Sequence, residues 1–263
     1  LWLQREVYMG KNWIPAFLPR GKAGAGMTRS VRNDIGIMKW LRKWDSVAAV
    51  RPDEIVTLSQ FSQKNIEAVY KRKSEILYPP FDVSYFRSLM KKDRKPSVTL
   101  PSSYFMFVGR LEPYKRVDLL VETWAKGHKE NLVIVGTGTE KKKLINIIKV
   151  IKNITFITIP LTDAELMYVY KHARALIMPQ AEDFGYTALE ALYAGTPVVS
   201  FKYSGAADMV TDGENGILFN EQNVYDINKA LDRVGKLQYN RKEEFFEKFS
   251  KEKFLTELEG RLV

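Results

Sequence analysis

Two glutamates eight residues apart bracket the stretch Glu182-Asp183-Phe184-Gly185-Tyr186-Thr187-Ala188-Leu189-Glu190. Gly185, Tyr186 and Thr187 offer backbone N–H groups where a helix is predicted to start, and such a start attracts anions. Glu190 falls in the apolar run Ala188-Leu189-Glu190-Ala191-Leu192, so its carboxylate is expected to be partly buried. A buried carboxylate needs hydrogen-bonding partners, and ligand hydroxyls could supply them. The plainer readings are an acidic helix cap for Glu182-Asp183 and an exposed helix position for Glu190. A second group is basic. In Gly109-Arg110-Leu111-Glu112-Pro113-Tyr114-Lys115-Arg116 the glycine lets a ligand approach the backbone, and Arg110 and Lys115 stand at the ligand edge. A helix is predicted from about Lys115. Cations are unfavourable at a helix N-terminus, and an anion such as a diphosphate would offset that cost; the alternative is a basic surface turn. Third, Gly136-Thr137-Gly138-Thr139-Glu140 is a partial Gly-x-Gly turn. It lacks the third glycine and the spaced acidic residue of a dinucleotide fingerprint, so it marks a close approach of backbone either to a ligand or to the sheet. Gly21-Lys22-Ala23-Gly24-Ala25-Gly26 lacks the Gly-Lys-Ser/Thr ending of a phosphate loop and reads as a linker between helices.

These residues need a frame that brings strand ends together, and the pattern after residue 103 supplies one. Short, fully apolar strands are predicted at 104–108, 132–135, 154–159, 175–178, 198–201 and 216–219. Helices are predicted between and after them at 115–126, 139–151, 163–173, 186–194, 224–235 and 241–258, with a helical turn at 205–211. Apolar strands alternating with helices indicate an α/β fold, a Rossmann-like parallel sheet with helices on both faces. Ligands in such folds sit beyond the carboxyl ends of the strands, where all three groups above fall. Ahead of this frame, residues 30–50 read as a helix with Ile35, Ile37, Met38, Leu41, Trp44 and Val47 near helical spacing. Residues 54–59 read as a short strand, and Ser59 is placed to cap a helix over 60–72. Ile76-Leu77-Tyr78 is a second short strand, and residues 88–103, rich in Lys, Ser and Pro, read as a linker.

Four motifs in order at the strand ends carry a resemblance. Residues 109–118, Val135-Gly136-Thr137-Gly138, residues 182–190 and Ala194-Gly195-Thr196-Pro197-Val198-Val199 look like those of family-4 retaining glycosyltransferases of the GT-B fold. Within that family the nearest resemblance is to mannosyltransferases of surface polysaccharide synthesis. Trp44-Asp45-Ser46, residues 54–59 and Ile76-Leu77-Tyr78-Pro79-Pro80-Phe81-Asp82 look like the end of that family's N-terminal domain. The resemblance implies a hexosyltransferase using a nucleotide-sugar, with GDP-mannose the best guess and other GDP- or UDP-sugars the alternatives, no cofactor and no metal. Arg110 and Lys115 would neutralise the diphosphate. Glu182 would contact the transferred sugar, and Glu190 would hold the ribose hydroxyls. Gly109, Gly136, Phe184, Gly185, Tyr186 and Thr187 would line the donor, the last four through backbone groups. The family often has a glycine after its third strand, where the base binds; here Ile159 and Pro160 take that place. The implied domains are a remnant of the acceptor-side domain over 1–85, a linker over 86–103, the donor domain over 104–240 and a helix over 241–263 crossing back. Only about eighty residues precede the Pro79-Pro80 link, so the acceptor-side domain is expected to be incomplete, and the chain, which starts at Leu1, to begin partway through a longer protein.

Composition sets the surroundings. With 263 residues, 45% of them hydrophobic, the chain can build a sizeable core. It has no cysteine, which rules out a disulfide framework, and no apolar run long enough to predict a transmembrane helix. Residues 1–98 hold 19 Lys+Arg against 9 Asp+Glu, whereas residues 99–263 hold 22 of each, so the whole excess of +10 lies in front. Such asymmetry suggests an anionic partner, either a membrane surface or nucleic acid, against the plainer reading of a solvated lysine-rich surface; with the resemblance it implies a lipid-linked or glycan acceptor and a cytoplasmic location peripheral to the inner membrane face. Nucleic acid is not expected. A sugar-nucleotide-binding module without catalysis is the alternative function.

Overall fold

The structure, a computed structural model, describes residues 29–262. The glycine-rich stretch 21–26 and Trp2 and Trp13 lie outside them, as does the start of the expected front domain. The chain divides into two compact units, Leu1–Ile55 and Val56–Val263. In the first, helix α1 (Arg29–Ala48) agrees with the helix read at 30–50. Ile37, Trp40, Trp44 and Val47 recur on one of its faces and are exposed.

The second unit opens with β1 (Val56–Thr57), α2 (Gln60–Tyr70), β2 (Glu75–Ile76) and α3 (Val83–Lys92), and β1 pairs with β2 in parallel. A regular alternation follows: β3 (Tyr104–Val108), α4 (Val117–Ala125), β4 (Asn131–Val135), α5 (Lys141–Ile148), β5 (Ile154–Ile157), α6 (Asp163–Lys171), β6 (Ala175–Met178), α7 (Tyr186–Tyr193), β7 (Val198–Phe201), β8 (Gly216–Phe219), α8 (Val224–Val234) and α9 (Lys251–Leu262). Short 3₁₀ helices occupy Pro113–Lys115, Gly205–Met209 and Glu243–Phe249. β3 to β8 form one sheet in the order β5-β4-β3-β6-β7-β8, every pairing parallel. This is the expected α/β architecture.

The strands of this sheet are almost wholly apolar because both of its faces are covered. Tyr104 and Met106 of β3 enter one core with residues of α3, α6, α7 and the 3₁₀ segment at Glu243–Phe249. Phe105 and Phe107 enter the other, beneath α4, α5 and α8. Side chains of this size each contribute about 2–3 kcal/mol when fully buried.

Three expectations change. The stretch read as a linker from residue 88 opens inside α3. Asp82 caps that helix by accepting from Tyr85 N at 2.8 Å; Phe86 and Leu89, one turn apart, are buried within an otherwise polar sequence. The helix read at 241–258 is two elements, a 3₁₀ segment and α9, meeting at Ser250. Phe246, Phe249 and Phe254 are nevertheless buried: Phe246 packs on Phe81 and Tyr193, and Phe81 N donates to Phe249 O at 2.7 Å. Finally, α4 begins at Val117 rather than Lys115, because Arg116 adopts a left-handed φ of 53° that separates the 3₁₀ turn from the helix.

Candidate functional site

Sheet order reverses between β3 and β6. From β3 the chain works outward through β4 to β5, then returns to the other side of β3. In such sheets the crevice at the carboxyl ends beside the reversal is the ligand site, and the loops after β3 and β6 are the ones that meet there. Lys115 Nζ forms an ion pair with Glu182 Oε2, and Gln180 Nε2 donates to the same oxygen at 3.0 Å. The Lys115 and Glu182 side chains keep only 13% and 24% of their exposure, so each would be poorly compensated without the other. Arg110 is exposed on the same loop, its guanidinium donating to Tyr114 Oη at 3.2 Å.

Neighbouring backbone holds that loop in place. Leu111 N donates to Thr137 O at 2.9 Å and Glu140 N to Leu111 O at 2.9 Å. Glu112 accepts from Thr139 Oγ1 at 2.7 Å, a bond that holds its carboxyl below its ordinary pKa. Gly136 is required here: a Cβ at that position would lie 1.9 Å from Gly109 O. The close approach that the partial Gly-x-Gly turn announced is therefore to the adjoining strand-end loop.

The segment 182–190 is tied down at successive groups. Glu182 N donates to Ser204 Oγ at 3.0 Å, and Gly205 N donates to Glu182 O at 2.6 Å. Ser59 Oγ donates to Asp183 O at 2.6 Å, and Ser62 Oγ to Asp183 Oδ1 at 3.2 Å. Ser59 also accepts from Ser62 N at 3.1 Å, the cap expected for α2. The Phe184 ring is buried against Tyr78, Tyr186 and Phe249. Gly185 then adopts φ 95° as the N-cap of α7. A glycine cap has no side chain to cover the first N–H groups, so α7 presents its positive end, with Tyr186 and Thr187 in its first turn, at the carboxyl edge of the sheet. Tyr186 Oη donates to Pro80 O at 3.3 Å, and Thr187 Oγ1 lies 3.8 Å from Met178 Sδ.

Glu190, at 3% exposure, is more deeply buried than its sequence context implied. The protein itself supplies a partner: Tyr170 Oη donates to Glu190 Oε2 at 2.9 Å. Ile159 and Pro160 are exposed beyond β5. β4 stands between β5 and β3, so the strand that leads to them is two places along the sheet from the one that leads to Lys115. The structure thus joins Lys115 to Glu182, with Arg110 on the Lys115 loop, and sets Ile159 and Pro160 apart. Sequence reasoning missed Gln180, Ser204 and Tyr170, and saw in Ser59 only its cap. Among the described residues, no group of three or more His, Cys, Asp or Glu side chains is arranged to hold a metal ion.

A family model described as "Glycosyl transferases group 1" matches residues 90–253. An "Uncharacterized glycosyltransferase" of Haemophilus influenzae is 29% identical over 195 residues, covering 71% of this chain and 52% of that protein. Among solved structures, sucrose-phosphate synthase from Thermosynechococcus elongatus superposes with a TM-score of 0.66 at 20% identity, over 84% of this chain and 60% of that one. Anabaena HepE in complex with UDP and glucose gives 0.62 at 21% identity, over 80% and 62%. The chain spans about half the length of the curated relatives it matches.

Proposed function

We propose that this chain, which belongs to the glycosyl transferases group 1 family, binds a nucleotide-sugar at the crevice between β3 and β6 and serves the transfer of its hexose to an acceptor hydroxyl. The observation that carries this reading is the pairing of Lys115 with Glu182, on the loop that leads into α7, whose N-terminus has no side-chain cap. Transfer breaks the bond from the anomeric carbon to a phosphate oxygen and forms one to the acceptor oxygen; the leaving diphosphate takes the electron pair, and the acceptor hydroxyl's proton passes to it. Fixed positive charge stabilises that developing anion. Lys115, Arg110 and the N–H groups at Gly185, Tyr186 and Thr187 supply it. A diphosphate competes with Glu182 for the Lys115 ammonium, which frees the Glu182 carboxylate for sugar hydroxyls and for positive character at the anomeric carbon. Glu190 takes the ribose hydroxyls, and Ile159 and Pro160, at the exposed end of β5, take the base. Gly109 and Gly136 keep the two strand ends low beside the donor.

The motif resemblance favours mannose from GDP-mannose with retention of anomeric configuration, and a glycan or lipid-linked acceptor in surface polysaccharide synthesis. Location at the cytoplasmic face of a membrane is supported by the basic front segment and by α1, which exposes Trp40 and Trp44 beside Lys39, Arg42 and Lys43. Among the described residues no helix is long and apolar enough to cross a membrane. A second reading, a donor-binding module that performs no transfer, predicts donor binding without donor hydrolysis.

Thermal melts with GDP, UDP, GDP-mannose and UDP-glucose test the site. A ligand at a hundred times its Kd stabilises by about 2.7 kcal/mol. Lys115→Ala and Glu190→Ala should each remove most of the rise in Tm. A wild-type rise in both variants refutes the assignment.

A further inference from the structure

We infer that Tyr170 is a positioning residue for the donor, acting through Glu190; the inference rests on the ribose role proposed for Glu190. The bond from Tyr170 Oη to Glu190 Oε2, 2.9 Å, joins two side chains that are almost wholly withdrawn from solvent. In such surroundings a hydroxyl bond to a carboxylate is stronger than in water and more directional. It fixes the rotation of the carboxylate plane, and so the direction in which Glu190 can accept from a ligand hydroxyl.

The backbone that carries the phenol is itself held. Thr196 Oγ1, just before β7, donates to the backbone oxygen of Tyr170 at 2.5 Å. Tyr104 Oη, at the start of β3, donates to the backbone oxygen of Val169 at 2.8 Å. Two successive carbonyls in the last turn of α6 are thereby anchored to the central strand and to the turn that follows α7. Glu190 sits on the second turn of α7, so the carboxylate and the hydroxyl that orients it are set from different helices against one sheet. The Tyr170 bond favours one orientation of the buried Glu190 carboxylate before the ligand arrives, which is the preorganisation that lowers the entropic cost of binding.

Removal of ribose hydroxyls separates this role from a merely structural one. Binding of GDP and UDP, each beside its 2′,3′-dideoxy form, is measured by calorimetry on the wild type, Tyr170→Phe, Glu190→Gln and the double variant. Tyr170→Phe keeps the ring and is expected to lower the preference for the ribose form roughly threefold to tenfold, the worth of one hydrogen bond, while dideoxy affinity stays within about twofold. The double variant is expected to bind as Glu190→Gln alone does, because contacting residues couple. Equal losses for both nucleotide forms in Tyr170→Phe, an unchanged preference, or additive losses in the double variant would each overturn the role of Tyr170. An unchanged preference in Glu190→Gln overturns the ribose reading itself, and with it this inference.

Discussion

Ser59→Ala removes two bonds with one atom. The Ser59 hydroxyl oxygen caps α2 by accepting from Ser62 N, and its proton goes to Asp183 O, next to Glu182. Loss of the cap costs about 1 kcal/mol, and loss of a buried neutral hydrogen bond about 1 kcal/mol. Ser62 Oγ, 3.3 Å from the same carbonyl, retains part of the second bond, so the expected total is about 1.5–2 kcal/mol. For a unit of this size each kcal/mol moves Tm by roughly 2–4 °C, which gives a fall of about 3–8 °C, read by circular dichroism. Ser59→Asp separates the two bonds: aspartate caps well but has no proton to donate, and it sets an anion against the Asp183 carbonyl. It is expected to melt no higher than Ser59→Ala. If Ser59→Asp melts with the wild type, the bond from Ser59 to Asp183 contributes nothing and the tie between α2 and that loop rests on Ser62.

Three further outcomes follow from the geometry. Gly136→Ala drives a Cβ into Gly109 O and should destabilise by about 3 kcal/mol or more; near-wild-type urea unfolding would refute the backbone contact. Phe246→Ala empties a site walled by Phe81, Tyr193 and Phe245 at a cost of about 3–5 kcal/mol, and a Tm fall under about 3 °C would show that this wall collapses freely. Burial raises the pKa of Asp208 against its bonds from Gln60 N and Tyr78 Oη and the charge of Lys248. Its folded pKa exceeds its unfolded one, so the stability it contributes is full below about pH 3.9 and is lost as pH rises through the folded value. Asp208→Asn keeps an acceptor oxygen and should therefore lose less stability than the wild type between about pH 4 and pH 7. Parallel profiles of Tm against pH would refute this.

The strands that form the sheet were legible because burial on both faces leaves them almost wholly apolar: 175–178, 198–201 and 216–219 were read with the bounds observed. The linker reading failed at α3 because Phe86 and Leu89 are only two buried positions among lysines and serines, and composition averages them away. The break at Ser250 was hidden for a similar reason, since Phe245, Phe246, Phe249 and Phe254 keep near-helical spacing across it. At the site, Lys115 and Glu182 could be named but not joined, because their pairing depends on β3 and β6 being neighbours. Tyr170 left no local signal: it sits among apolar residues of α6, and its partner is twenty positions away on another helix.

The packing of Phe81 on Phe246 and its backbone bond to Phe249 have a consequence for synthesis. These partners are separated by at least 165 positions, so a ribosome working at 5–20 residues per second reaches the second on the order of 10–30 s after the first. Throughout that interval Phe81 and Phe86, stacked at 4.3 Å, lack the Phe246 side of their packing, while Tyr193, made earlier, can lie against them. The nascent chain thus carries an aromatic cluster incomplete on its Phe246 side until that segment emerges, and holdase chaperones have their opportunity in that window.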